Sequence, residues 1–337
     1  MKKLTLLLLA LLYVTLTYAY TERDLLQKQA DINRLKEILV LDRQWVTYPD
    51  YNDRAGWDRF LGTFKDEYIR RGEKRLNYQW QVVKATDYLA FERTGNRQIM
   101  EKPFGANNGA IADLLMAELA EGKGRFVDQL INGVFNACEM TSWALAAHII
   151  VQPSHRALPA YDYPVIDLTS GDLGGLLAWT YHFMRPSFDK VDPEISRRLR
   201  HELQTRILDP YMNNDSFWWM GRNYNGRMLN NWNPWCNSNA LMCFMLLEDN
   251  RDTLAKAVHL TMESVDKFLN YIKADGACEE GPSYWGHAAG KTLDYLELLS
   301  DITGDKVHII HDIYIYVKCF FTFFEMFLFL CNSHMAT

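Results

Sequence analysis

No CxxC pair and no zinc-type spacing link the six cysteines, at 138, 236, 243, 278, 319 and 331. A small metal-clasped domain is therefore excluded. A chain of 337 residues with 48% apolar content builds a core without cross-links, so most of these thiols read as small buried hydrophobes. A positive balance is missing too: 36 Lys and Arg face 42 Asp and Glu, a formal net charge of −6. Nucleic-acid binders carry the opposite field, because displacing counterions from phosphates takes cations. An acidic polysaccharide stays within reach, since it needs only a locally basic cleft. No repeat of fixed period supports an open solenoid, and strand-type alternation is nearly missing before residue 305. The apolar run from Leu4 to Leu16 is too short for a comfortable membrane span. With Lys2-Lys3 before it and Thr17-Tyr18-Ala19 after it, residues 1–19 read as a secretory signal, which predicts a secreted or periplasmic protein. No other stable membrane span is expected.

What the chain has in abundance is aromatic surface, 13% with ten Trp, whose flat faces fill cores and stack on sugar rings. Helical periodicity dominates from residue 24. Predicted helices cover 24–40, 54–75, 78–93, 107–121, 124–148 and 167–184. Others run from Pro193, a favoured first position, to 208, then over 238–248, 251–274 and 287–303. Residues 149–166, with Pro153, Pro159 and Pro164, form a long loop. Helices of similar length following in pairs predict an all-α chain: an incomplete (α/α) toroid of paired antiparallel helices over 20–308, whose rim loops build a cleft. Residues 309–337 are far more apolar and aromatic than the rest and read as an atypical tail, interrupted by Lys318 and Glu325.

Residues 222–287 carry the candidate chemistry in two polar clusters. The first contains Arg222, Arg227, Asn230, Asn231, Trp232, Asn233 and Trp235; the second contains Glu279, Glu280, Tyr284 and His287. A carboxamide donates to a carboxylate without carrying charge, so it can hold a substrate acid group while withdrawing electron density from the neighbouring carbon. Singly, each Asn reads more simply as a turn or capping residue before Pro234; three of them beside two Arg favour a ligand. A phenol is a poor base at its ordinary pKa of about 10, but an adjacent cation brings phenolate within range. That makes Tyr284 a candidate base, with His287 three residues on, although a loop Tyr more often packs. The neighbouring Glu279 and Glu280 cannot flank a glycosidic bond as two opposed carboxylates do. Glu139, His148 and His182 lie within predicted helices; each could face the cleft, and a satisfied core residue is the default reading. No cofactor is identified.

The run Asn230-Asn231-Trp232-Asn233-Pro234-Trp235, with Asp275-Gly276, Glu280-Gly281-Pro282-Ser283-Tyr284 and the stretch from Asn132-Gly133 to Trp143, resembles the heparinase II/III-like polysaccharide lyases over about residues 70–308. The resemblance implies an α/α toroid followed by a β-sandwich domain, and β-elimination at the uronic acid of an acidic polysaccharide. By position, Asn231 looks like the amide that neutralises the carboxylate and Tyr284 like the base that takes the C5 proton. His287 is a candidate proton donor, while Arg222, Arg227, Asn230, Trp232, Asn233, Trp235 and Glu280 contact substrate. Two features depart from the family. Trp232 stands where several members have His, and the sandwich, with its further histidine and the one place for a structural divalent cation, is not recognised before the chain ends. Two other readings stay open: a glycoside hydrolase on the same toroid, and a truncated, non-catalytic carbohydrate-binding protein.

Overall fold

Proline and glycine punctuate this chain so that hairpin follows hairpin, and every regular element among the described residues is a helix. The computed structural model describes residues 22–223, 228–272 and 282–309, without the side chains of Pro282, Ser283 and Trp285. The secretory-signal segment, Arg227, Glu280, Cys278 and the apolar tail from residue 310, with Cys319 and Cys331, lie outside the described residues. In chain order the α-helices are α1 Ile32–Ile38, α2 Arg54–Leu61, α3 Lys65–Glu73, α4 Ala85–Thr94, α5 Gln98–Glu121, α6 Val127–Cys138 and α7 Ala146–Ile149. They continue with α8 Leu168–Val191, α9 Pro193–Leu203, α10 Asp209–Asn213, α11 Trp232–Leu247, α12 Arg251–Leu269 and α13 Pro282–Ile302.

The long helices fall into two rows. In one, α5 adjoins α8, α8 adjoins α11 and α11 adjoins α13; in the other, α6, α9 and α12 each pack behind the helix that precedes them. The connections are short enough to force reversal. Between α8 and α9 a single residue, Asp192, leaves the helix with extended dihedrals and caps α9 by accepting from Glu194 N–H, with Pro193 at N1. Asn250 caps α12 by accepting from Thr253 N–H. Gly122, at φ +66°, ends α5 in the left-handed conformation that glycine adopts without strain.

Position in the rows explains each helix's pattern. Helix α9 alternates charged and apolar positions because one face meets solvent. Helix α11 lies among α8, α12 and α13 and is buried nearly all round, from Cys236 and Ala240 through Phe244 to Leu247. Only Trp232, Trp235, Asn239 and Met242 remain partly open, at helical spacings of three and four, so one stripe of this central helix reaches the surface. Cys138, Cys236 and Cys243 are buried free thiols, as the sequence reading expects, and burial raises the Cys138 and Cys243 thiols to about 12.

Several predicted boundaries move. The 24–40 segment is helical only over α1. The 54–75 segment is broken by a 3₁₀ turn, Gly62–Phe64, and the 78–93 segment does not become helical until Ala85. The 193–208 segment passes from α9 into a π turn, Gln204–Leu208. Helix α8 is capped by Asp167, whose carboxylate accepts from Ser170 N–H while the Ser170 hydroxyl oxygen accepts from Asp167 N–H. Helix α11 starts at Trp232 rather than 238, and α13 at Pro282 rather than 287.

Three glycines of α8 set how closely its neighbours approach. A Cβ on Gly171 would stand 3.1 Å from Asn239 Nδ2, one on Gly175 would stand 3.3 Å from Asn239 Oδ1, and one on Gly174 would stand 2.9 Å from Ile207 Cγ1 and 3.6 Å from Cys243 Sγ. Gly174→Ala is expected to lower unfolding stability by about 1–3 kcal/mol, the usual penalty for overpacking. Urea denaturation measures it, and adding Ile207→Val should restore part of the loss.

Candidate functional site

The open stripe of α11 meets facing side chains from α8 and α13, and this junction is the candidate site. The Trp235 indole is its centre. It donates from Nε1 to Asp172 Oδ1 at 2.7 Å, and Asn239 Nδ2 donates to the same oxygen at 2.8 Å. The hollow left by Gly171 and Gly175 receives Asn239, so the glycines of α8 aim an amide of α11 at a carboxylate of α8. On the other flank the His287 ring stacks on Trp235, with centroids 5.2 Å apart and planes 19° from parallel. Tyr284 follows at 5.9 Å from His287, and Lys291 Nζ lies 5.6 Å from the Trp235 ring centroid, within cation–π range.

Helical spacing accounts for the α13 contribution. Tyr284, His287 and Lys291 stand at i, i+3 and i+7, hence on one face. Tyr284 lies inside the first turn of α13, not ahead of the helix, and is 50% exposed. Asp172 opens to solvent as a residue, yet protein surrounds most of its carboxyl group. That desolvation raises its pKa above the ordinary aspartate value, outweighing the bonds from Trp235 and Asn239 and the charge of Lys291, which lower it. Phenol, imidazole, ammonium, carboxyl group and indole thus share one accessible surface, suited to stacking a ring and moving a proton.

Other sequence-predicted residues sit differently. Asn230 half-buries at the head of α11 and accepts from Trp232 N–H at 3.1 Å, the capping role that its residue type suggests. Asn231, the N-cap of that helix, is 1% exposed, so its carboxamide lies beneath the surface, and it does not cap the helix with its side chain. Asn233 is fully buried. Its Nδ2 donates to Trp219 O at 2.7 Å, to Ser264 O at 2.9 Å and to Ser264 Oγ at 3.1 Å, which makes it a peg between segments. Arg222 pairs with Asp215 at 2.6 Å, donates to Tyr211 O at 3.0 Å and lies over the Tyr211 ring. Trp232 reaches the surface one turn from Trp235.

The structure brings together Trp235, Tyr284 and His287, and adds three residues that the sequence reading missed: Asp172, Asn239 and Lys291. For Lys291 a signal existed, the i+7 position from Tyr284. For Asp172 the signal was the glycine-rich turn around it, Gly171-Asp172-Leu173-Gly174-Gly175. Glu139 and His182 stay outside this junction: Glu139 pairs with Arg198 at the end of α6, and His182 contacts Trp179 and Phe183 on α8, where burial lowers its pKa. Among the described residues no group of His, Cys, Asp and Glu is arranged to hold a metal ion, and no helix is long and apolar enough to cross a membrane. No protein-family model matches the chain, and no curated protein matches it either.

Proposed function

We propose that this chain is the toroid part of an extracytoplasmic polysaccharide lyase of the heparinase II/III-like type, acting by β-elimination on an acidic polysaccharide. The observation that carries the reading is the Tyr284–His287–Trp235 stack with Lys291 on the same face. It supplies an exposed phenol, a proton-exchanging ring, a sugar platform and a cation without a redox or phosphate-binding motif. Two rows of hairpin-paired helices support the toroid, and residues 1–19 support export.

In this mechanism Trp235 takes the face of the uronic acid, and the sugar carboxylate is drawn to Lys291, with Asn231 in the layer beneath. Stabilising negative charge on the carboxylate acidifies C5–H. The Tyr284 oxygen removes that proton, the C4–O4 bond breaks as C4=C5 forms, and the departing O4 takes a proton from Tyr284 or His287. Atoms balance without water or cofactor.

The hydrolase alternative gains Asp172 as an acid, but Asp167, the carboxylate nearest to it in the helix, is fully buried and cannot oppose it across a sugar. Incubating the purified protein with heparan sulfate, alginate, hyaluronan and chondroitin separates the readings. Lysis produces a conjugated enoate with rising ultraviolet absorbance; new reducing ends without that absorbance would instead establish hydrolysis, and neither product would leave only binding.

A further inference from the structure

One helical turn before Trp235, a second polar and aromatic cluster opens beside the site. Trp232 begins α11, and the Trp218 ring, from the 3₁₀ turn Trp218–Met220, lies 5.4 Å from it at 43°. Trp218 is 43% exposed, whereas Trp57, Trp143 and Trp219 are buried in the core. The His148 ring meets Trp232 edge-on at 4.6 Å. His148 Nδ1 lies 2.6 Å from Asp167 Oδ2, and Arg97 Nη2 lies 3.4 Å from His148 Nε2.

These partners fix the imidazole. A guanidinium only donates, so Nε2 must present its lone pair toward Arg97, and Nδ1 carries the hydrogen that Asp167 accepts. Asp167 is itself held rigidly: it is fully buried, caps α8 through Ser170 N–H, and accepts from Leu145 N–H at 3.1 Å and from the Thr169 hydroxyl at 3.1 Å. Arg97, at the start of α5, bonds Glu101 through Nε at 2.6 Å and remains largely solvent-exposed. The cluster therefore offers an indole pair, Trp218 exposed and Trp232 partly so, with a surface cation that His148 holds beside it, at the edge of the stripe that carries the catalytic candidates.

We infer that Trp218, Trp232, Arg97 and His148 form a second saccharide subsite, which seats a neighbouring sugar of the same acidic chain. Its ring stacks on the indoles, and its carboxylate or sulfate pairs with Arg97, which His148 Nε2 helps to hold in place. The assignment rests on the polysaccharide reading of the adjoining site. Trp232 then has a positive role where several members of the resembled family have His. Asp167 is a positioning residue that sets the imidazole tautomer.

The test titrates the Tyr284→Phe protein, in which turnover is suppressed, with tetrasaccharides and disaccharides of heparan sulfate, alginate, hyaluronan and chondroitin, and with neutral cellotetraose, by calorimetry. At least one acidic tetrasaccharide is expected to bind, and Trp218→Ala or Arg97→Gln to weaken it about tenfold, the scale of one charge-assisted bond or stacked ring. The disaccharide, which fills only the first position, should lose much less. Both changes lie at exposed positions, so folding is not at stake. The subsite is overturned if no acidic tetrasaccharide binds, or if both variants bind it as tightly as the parent. The enoate assay on the otherwise unaltered chain judges the lyase reading separately. Enoate formation with unchanged kcat/KM in both variants removes the subsite and keeps the lyase. Weakened binding with no enoate from any polymer keeps the subsite and removes the lyase.

Discussion

Tyr284→Phe is expected to reduce enoate formation by about 10³-fold, within the range that a single positioned proton-transfer group contributes. The substitution removes one oxygen and little else. The ring contact with His287 survives in Phe, and at 50% exposure the side chain contributes little to the core, so the unfolding midpoint should not move measurably. Substrate affinity should also persist, because stacking falls to Trp235 and charge pairing to Lys291. The expected signature is thus a collapse of kcat with KM nearly unchanged, the pattern of an interaction made only in the transition state. Normal turnover in the variant would exclude Tyr284 as the base. A His287→Ala variant adds a second reading: if the tyrosine both takes the C5 proton and delivers it to O4, the loss should be much smaller than for Tyr284→Phe. If His287 is the donor, the two losses should be comparable.

The helical class was legible because amphipathic spacing is written in local sequence: α9 and α12 start where periodicity puts them and α8 one residue later, while α5 ends at the expected residue but begins at Gln98 rather than 107. The start of α11 was not legible. Asn230, the N-cap Asn231 and a first turn with Asn233 and Pro234 read as a loop, yet proline is tolerated in a first turn where its missing N–H has no partner to lose. Burial on nearly every side also strips that helix of the polar face that reveals helices to pattern reading. The same division runs through the site. Tyr284 and His287 are neighbours in sequence and became neighbours in space by i,i+3 geometry. Asp172 and Trp235 meet only because α8 and α11 pack together across a glycine hollow, a juxtaposition set by tertiary structure. Burial decided between the amides. Residue type could not separate Asn230 at the surface from Asn231 and Asn233 below it.

Asn233→Ala is expected to cost about 2–3 kcal/mol of stability, the largest loss among the amide positions, and to leave chemistry intact in the protein that remains folded. The carboxamide nitrogen serves Trp219 O and Ser264 O at once, and both carbonyls would be left buried with one donor fewer. Water has no route to replace it at a fully buried position. The penalty is moderated because the Asn233 oxygen has no hydrogen-bond partner among the described residues, so its deletion removes an unsatisfied acceptor together with a useful donor. Ser264 Oγ still receives the bond from Asn237 Nδ2 at 2.8 Å, which limits the damage to the peg itself. A lowered urea midpoint with unchanged KM would place Asn233 in the scaffold that carries Trp219 and the head of α11. A raised KM with an unchanged midpoint would return it to the substrate-binding group, and would require the first turn of α11 to open before a saccharide is held.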